Sequence, residues 1–585
     1  MIELKFLSDG EKTYLNNDHG VTKEINLSFV EKPAFVTPEM FGAIGDGVTD
    51  DTAAWQTAVD SGFSVKASKT RYKCGKININ KDIIVDCCGA SFIATDSILF
   101  NCSGSVVATL TGEGDYTPNE VGYLISNENY TSYSGFAMLK GTNNFEPSRD
   151  YYKGGFVCEF ENGKMNGSYP IGVTGVSIEI INPVTVRIKN IGDILNTAGA
   201  VGGQTIKLTH CVNSTVSNVK AKNAANYSFI GFNSCMNCVA ESIFVNQYFQ
   251  VANNNSYIIE ICDSVKCDVK NSVLHNRMWH CWSSGGVYLC YDNKIESCLC
   301  TGNNQYAVLD HNNARRTSVL NSVIAGVWLN GLSVIDNTSI IPLDNASKTC
   351  LLTLSPCAEQ KNACYTVKNV TFCTDGDSAA SNVRVYLRHD TGTTGGSYYY
   401  KHIEIHNLIT TGVTKNTIQL ALTSGNTYTL GEIFIKNTDA DILIDKSSTD
   451  TFIDMSNYIL TLSDIIEKNP TGNRCTIGSG NDKVMNVVHF RNCNVRQIRG
   501  VYTEVYLDEV ECNDYSKMSV SGKLIGGTVI GNITDSVLAV PTSLAIAMMT
   551  INNNYKYFNI VNDNNGKKWR SAYVSGVVNV TEITA

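Results

Sequence analysis

From residue 76 to about 535 the chain is written in short runs of alternating apolar and polar residues, bounded by Asn, Asp, Gly and Ser. Thr205-Ile-Lys-Leu-Thr, Tyr257-Ile-Ile-Glu-Ile, Val287-Tyr-Leu-Cys and Ala307-Val-Leu-Asp are examples. Similar runs continue through His402-Ile-Glu-Ile-His, Gly431-Glu-Ile-Phe-Ile, Val487-Val-His-Phe and Val505-Tyr-Leu-Asp. A period of two with turn formers at both ends predicts strands that bury one face. Helical spacing occurs once, where Trp55, Ala58, Val59 and Gly62 share a face and Thr49 or Asp50 is placed to cap the first amides. It predicts one short amphipathic helix, stopped at Gly62.

Strands this dense call for a repeat. The triplets Ser217-Asn218-Val219, Glu241-Ser242-Ile243, Asn271-Ser272-Val273, Ser297-Cys298-Leu299 and Asn321-Ser322-Val323 supply one, their last residues lying 24, 30, 26 and 24 positions apart. Each interval fits one coil of a parallel solenoid, in which neighbouring coils complete the hydrogen bonding and the core that one coil lacks. The open first coil needs cover, and the helix stands where a cap belongs. The expected organisation is an arm over residues 1–35, a capping motif and helix over 36–75, a solenoid over 76–535, and a cap or oligomerisation segment over 536–585.

Composition narrows the class. A length of 585 residues exceeds one compact core, and only 10 prolines with no biased linker favour one elongated architecture over separate domains. The net charge of −9 and scattered basic residues give no footprint for nucleic acid. Met1-Ile2-Glu3-Leu4-Lys5 opens no secretory signal, and the apolar run from Leu544 to Ile551 is too short to enter a bilayer as a span. Synthesis in a cytoplasm is therefore expected. The 21 cysteines read as buried thiols. Cys235-Met236-Asn237-Cys238, near His210 and Cys211, has half the spacing of a zinc site but no second pair follows, so neither metal nor cofactor is expected.

The segment Phe41-Gly-Ala-Ile-Gly-Asp-Gly-Val-Thr-Asp-Asp-Thr-Ala-Ala-Trp-Gln56 resembles the opening signature of the pectate-lyase-like β-helix superfamily, frequent in phage tailspikes and capsule depolymerases. The resemblance implies an all-β, right-handed single-stranded parallel β-helix with a short N-terminal capping α-helix. It also implies a homotrimer in the virion tail, joined to the phage baseplate or tail through the N-terminus, whose partner is a bacterial capsular or O-antigen polysaccharide. The chain departs from pectinases in lacking Gly-His-Gly and an adjacent Asp pair in its central coils. Asp46, Asp50 and Asp51 read as turn and capping residues.

Glycoside hydrolysis needs two carboxyl groups flanking the scissile bond. Glu260 lies 13 residues before Val273 and Asp310 lies 13 before Val323, which places them in one column, two coils apart, across Gly286. At about 4.8 Å per coil their separation would be about 9.6 Å, the range of inverting enzymes. They are the candidate catalytic pair. The run His275-Asn276-Arg277-Met278-Trp279-His280-Cys281-Trp282, taken as the longest loop insertion, gathers rings and charges suited to sugars. Candidate substrate-binding residues are His275, Arg277, Trp279, His280, Trp282, Tyr288, Asp292, His311 and Arg315. Two alternatives share the fold. A lyase would use His275, His280 or Tyr288 as base with Arg277 or Arg315 holding a uronate, and a non-catalytic adhesin would only bind. Arg388, His389 and Asp390 are candidates for a site between subunits.

Overall fold

The computed structural model describes residues 35–438 apart from loop segments (among them 145–150, 197–202, 250–255, 277–278, 303–305, 344–348, 356–362, 374–381, 388–396, 412–414 and 421–426) and the strand backbones before and after that span. The chain is all-β. A sheet of thirteen parallel strands runs from Ile77–Ile79 and Phe100–Ser103 through Gln204–Thr209, Ser228–Asn233, Tyr257–Cys262, His280–Gly285, Val308–Asp310 and Val327–Asn330 to Cys350–Ser355, Asn382–Leu387 and beyond. We call it the long sheet. A second parallel stack takes one further stretch from each coil, including Ile83–Asp86, Val186–Ile191, Thr215–Ala221, Val239–Phe249, Val273–Asn276, Leu299–Thr301 and Val323–Ala325. These stacked strands fit the solenoid expected from the sequence.

Two kinds of ladder hold the stack together. Inward, the aligned column Ile206, Ile230, Ile259, Trp282, Val308 and Val327 is fully buried. A side chain of that size yields about 1.5–3 kcal/mol on burial, so each coil is held mainly by what its neighbours cover. Outward, at the corner of the second stack, Asn369, Asn407 and Asn437 sit at φ of 52°, 55° and 50°. Asparagine tolerates that left-handed conformation. Its amide then reaches the preceding coil: Asn407 Nδ2 donates to Asn369 Oδ1 at 2.8 Å and Asn437 Nδ2 to Asn407 Oδ1 at 2.7 Å.

The helix forms over Thr52–Asp60, and Trp55 is fully buried against Tyr72, Phe92 and Phe100, its ring 5.1, 5.3 and 6.2 Å from theirs. Its N-cap is Asp51, whose carboxylate instead accepts the amides of Ile44 (2.7 Å) and Gly45 (3.1 Å). Asp46 likewise binds the amides of Val48 and Thr49, both at 2.7 Å. The acidic signature thus folds its own turn. Lys5–Ser8, Thr13–Asn16 and Thr22–Ile25 pair as a separate antiparallel sheet, and Phe558–Val561, Lys568–Val574 and Val577–Ile583 pair antiparallel near the other end.

One expectation needs correction: residues 76–535 are not an unbroken parallel stack. Ser105–Thr111, Gly135–Asn144, Lys153–Glu161, Lys164–Asn166 and Ser177–Asn182 form an antiparallel sheet with its own apolar core. It docks on the solenoid through Lys153 N to Val287 O (2.9 Å), Leu289 N to Gly155 O (2.9 Å) and contacts with Met236 and Val265. Alternation reports a strand with one buried face and is blind to the direction of its partner.

Cys235 and Cys238 are buried, their thiols 3.5 Å from Leu208 O and 3.4 Å from Cys211 O. They fill the corner of a coil. No helix among the described residues is long and apolar enough to cross a membrane.

Candidate functional site

The outward face of the long sheet carries one continuous column: Asn78, Asn101, Lys207, Gly231, Glu260, Ser283, Leu309, Trp328, Thr353 and Tyr386. Glu260 stands mid-column because Ile259 and Ile261, both fully buried, turn their side chains inward and leave the residue between them outside. Its Oε2 accepts from Gln204 Nε2 at 2.8 Å and from Ser228 Oγ at 2.5 Å. Gln204 is in turn tied to Asn233, whose Nδ2 donates to Gln204 Oε1 at 2.7 Å. Gly231, one coil before Glu260, leaves room for this arrangement, since a Cβ there would stand 2.1 Å from Gln204 Cδ.

Three residues further, where the strand Tyr257–Cys262 ends, Asp263 turns at φ 53°. Its Oδ1 accepts the amide of Tyr288 at 2.6 Å. The half-buried Asp263 carboxyl is pushed up to about 6 by burial, which outweighs the opposing pull of the Tyr288 and Val287 amides and of the Lys140 ammonium. Lys140 comes from the docked antiparallel sheet. It pairs with Glu179 at 2.6 Å and lies 5.7 Å from the centre of the Tyr288 ring. Burial, with the Asp263 and Glu179 charges beside it, pushes the Tyr288 phenol up.

The catalytic pair expected from the sequence does not share this face. Glu260 aligns with Ser283 and then Leu309, whereas Asp310 aligns with Ser284 and Ile261. Asp310 therefore points inward, 2% exposed, and accepts from Thr317 Oγ1 at 3.0 Å and Asn330 N at 3.2 Å. Gly286 lies outside both columns; its φ of 132° and closeness to Asp263 belong to the turn. The error arises because turns differ in length from coil to coil, so a fixed offset of 13 residues does not keep one register.

The binding residues expected from the sequence also divide. His275 lies in a strand of the second stack, its Nδ1 3.0 Å from Thr301 Oγ1, away from Glu260. Arg277 lies outside the described residues, as do Arg388, His389 and Asp390. His275 to Trp282 is no long loop but the passage between the strands Val273–Asn276 and His280–Gly285. Trp282 faces the core. Arg315 is also buried, with Nη1 2.7 Å from Ala314 O. Asp292 pairs with Arg316 at 3.3 Å beside a groove lined by Lys266, Asp268 and Lys294, in which Lys294 pairs with Asp268 at 3.6 Å. Three residues stand on or against the strand His280–Gly285, which pairs with the strand of Glu260. His280, buried against Tyr257 at 5.9 Å, directs Nδ1 to Tyr306 O, and burial pulls it down to about 3, so it is neutral at neutral pH. Trp279, half-buried, leans on His280 at 5.0 Å. His311 packs beside Gly285, next to the Ser283 position of the column.

The structure adds residues that the sequence reading passed over. Tyr227, Tyr257, His280, Tyr306, Trp328 and Tyr386 form an aromatic band along the same face as Glu260. The partly exposed rings among them, Tyr227, Tyr306, Trp328 and Tyr386, are of the kind that receives the apolar sides of pyranose rings. Asp263 was equally hidden. The available signal was an acidic residue closing the strand that carries an outward Glu260.

No family model matches the chain. In sequence it is similar to "Depolymerase 1, capsule KN3-specific" of Klebsiella phage KN3-1, 49% identical over 51 residues, a stretch that covers 9% of this chain and 6% of that protein. Among solved structures it is similar to the tailspike gp61 of Pseudomonas phage phi297, with 12% identity, a TM-score of 0.49 and coverage of 82% of this chain and 81% of that one. It is also similar to the Gp54 tailspike of Acinetobacter baumannii bacteriophage AP22, solved in complex with A. baumannii capsular saccharide, with 12% identity, a TM-score of 0.49 and coverage of 76% and 77%. The stretch of 51 residues is thus similar to a phage capsule depolymerase, the group that the opening signature pointed to.

Proposed function

We propose that this chain is a phage tailspike that recognises and depolymerises a bacterial surface polysaccharide, capsule or O-antigen, by glycoside hydrolysis. In this reading the solenoid is a right-handed single-stranded parallel β-helix closed by the helix Thr52–Asp60. It works as a homotrimer in the virion tail, with residues 1–35 as the attachment arm. The observation that carries the reading is Glu260, held by Gln204 and Ser228 on an aromatic outward face, with the partly exposed Asp263 at the end of the same strand.

Asp263, protonated up to about pH 6, has the character of the general acid that donates to the leaving oxygen. Glu260 then activates water or attacks the sugar. Glu260 stands in the strand and Asp263 in the turn that follows it, three residues on, so both carboxyls belong to the same strand end. The lyase reading is weaker. His280 has its Nδ1 on a backbone carbonyl, and the Tyr288 phenol is held protonated by burial and two nearby carboxylates.

Incubation of the purified protein with a panel of capsular and O-antigen polysaccharides tests this. New reducing ends without ultraviolet absorbance from an unsaturated uronate support hydrolysis. Absorbance means a lyase, and binding with no cleavage of any bound glycan means an adhesin.

A further inference from the structure

Three coils beyond Glu260 the outward column reaches Trp328, by way of Ser283 and Leu309. At about 4.8 Å per coil that is about 14 Å along the solenoid. Trp328 is half-buried although its strand neighbours Val327 and Leu329 are fully buried, so part of its ring faces solvent. Tyr306 stands edge-on to it, with ring centres 5.2 Å apart and planes at 85°. Two contacts fix that tyrosine: its hydroxyl lies 2.8 Å from Thr353 Oγ1, in the next coil of the column, and its backbone carbonyl takes His280 Nδ1. The result is a rigid corner of two perpendicular rings. Its tyrosine is anchored through His280 to the coil two before Trp328 and through Thr353 to the coil after it. Neither ring is needed to fill the interior, which Val308, Val327 and Leu352 already occupy.

A flat apolar face beside a second ring set across it suits a pyranose ring. The sugar stacks on one ring while its edge hydroxyls meet the other. We infer that Trp328 and Tyr306 form a sugar-stacking subsite that binds the polysaccharide several residues away from the bond cut beside Glu260. The inference rests on the proposed glycan reading of this face and deepens it. An anchor about 14 Å from the carboxylate makes the protein a reader of chain length, selective for internal segments of a polymer over short fragments. Binding energy there holds the chain in place without touching the reacting sugar, so its loss shows in KM more than in kcat.

The test uses a panel of capsular and O-antigen polysaccharides, intact and partially acid-hydrolysed, with Trp328→Ala and Trp328→Phe. Affinities are measured by calorimetry in a Glu260→Gln background and kinetics in the wild-type background. The expected result is about tenfold weaker binding and an about tenfold higher KM on intact polymer for Trp328→Ala, a smaller change on the shortest fragments, and substantial recovery in Trp328→Phe. Unchanged circular dichroism and melting temperature show that the variants are folded. Trp328→Leu, which keeps an apolar side chain but no ring, carries the same comparison against wild type if the alanine variant fails to fold. Equal affinities of variants and wild type on a bound or cleaved polymer overturn the subsite and leave the enzyme reading intact. Binding without cleavage, lost in Trp328→Ala, supports the subsite while removing the hydrolase reading. No binding to any polysaccharide of the panel overturns both.

Discussion

Glu260 and Asp310 stand on opposite sides of one sheet. Two coils apart, they are out of register by a single residue, and that residue separates a carboxylate reaching the outer face from one enclosed with Thr317 and Asn330. In a β-strand a slip of one position exchanges the two faces. The chemistry of the two acids is therefore distinct, and so are the experiments that report on them.

Asp310 is a stability residue. Burial raises its carboxyl to about 7, against the pull of its hydrogen bonds and of Arg315. A carboxyl raised in the folded state contributes stability that is fully present below its unfolded value near 4, and loses it as pH climbs toward 7. Thermal melts of wild type should decline between about pH 4 and pH 7 by an amount worth at most about 4 kcal/mol. Asp310→Asn should flatten that dependence and keep most of the depolymerase activity.

Turnover should follow the protonation of Asp263. As general acid it must carry its proton, so kcat should fall as pH rises through about 6, where burial places its carboxyl. Asp263→Asn should lower kcat by roughly 10²–10⁴-fold and abolish that limb of the profile. Initial rates across pH on a cleaved polysaccharide check this.

Gly231 should matter for catalysis without touching substrate. A Cβ at this position collides with the end of the Gln204 side chain, which can swing away at little cost to the fold but then releases Glu260 Oε2. Gly231→Ala is expected to melt close to wild type while kcat drops roughly 10–100-fold, the scale of a misplaced catalytic group. An unchanged kcat would mean that Ser228 alone orients the carboxylate.

Trp55 closes the first coils on Tyr72, Phe92 and Phe100. Replacement by alanine should cost about 3–5 kcal/mol, read as a lower melting temperature or a shifted denaturant midpoint.

Much of the architecture is legible in local pattern, because inward columns must alternate and corners at positive φ favour Asn. Asn218, Ser242, Asn271, Ser297 and Asn321, all at φ between 50° and 56°, mark successive coils and sit inside the repeated triplets. What pattern cannot carry is turn length. The triplets align Ile243 with Val273, whereas the strands pair Phe244 with Val273, and further unequal turns move Asp310 off the Glu260 column. The antiparallel sheet of 105–182 was invisible for a related reason, as its strands alternate like those of the solenoid. The site was half legible. Glu260 follows from Ile259 and Ile261, but Asp263 looks like any turn residue until Tyr288 and Lys140 are seen beside it.

The most direct measurement compares Glu260→Gln, Asp263→Asn and Asp310→Asn on one polysaccharide that the wild type cleaves, scoring reducing ends per protein at fixed pH after folding is checked. Loss of at least about 100-fold in the first two, with Asp310→Asn near wild type, is the expected result. Full activity in either Glu260→Gln or Asp263→Asn would contradict the assignment and move the chemistry elsewhere on the solenoid.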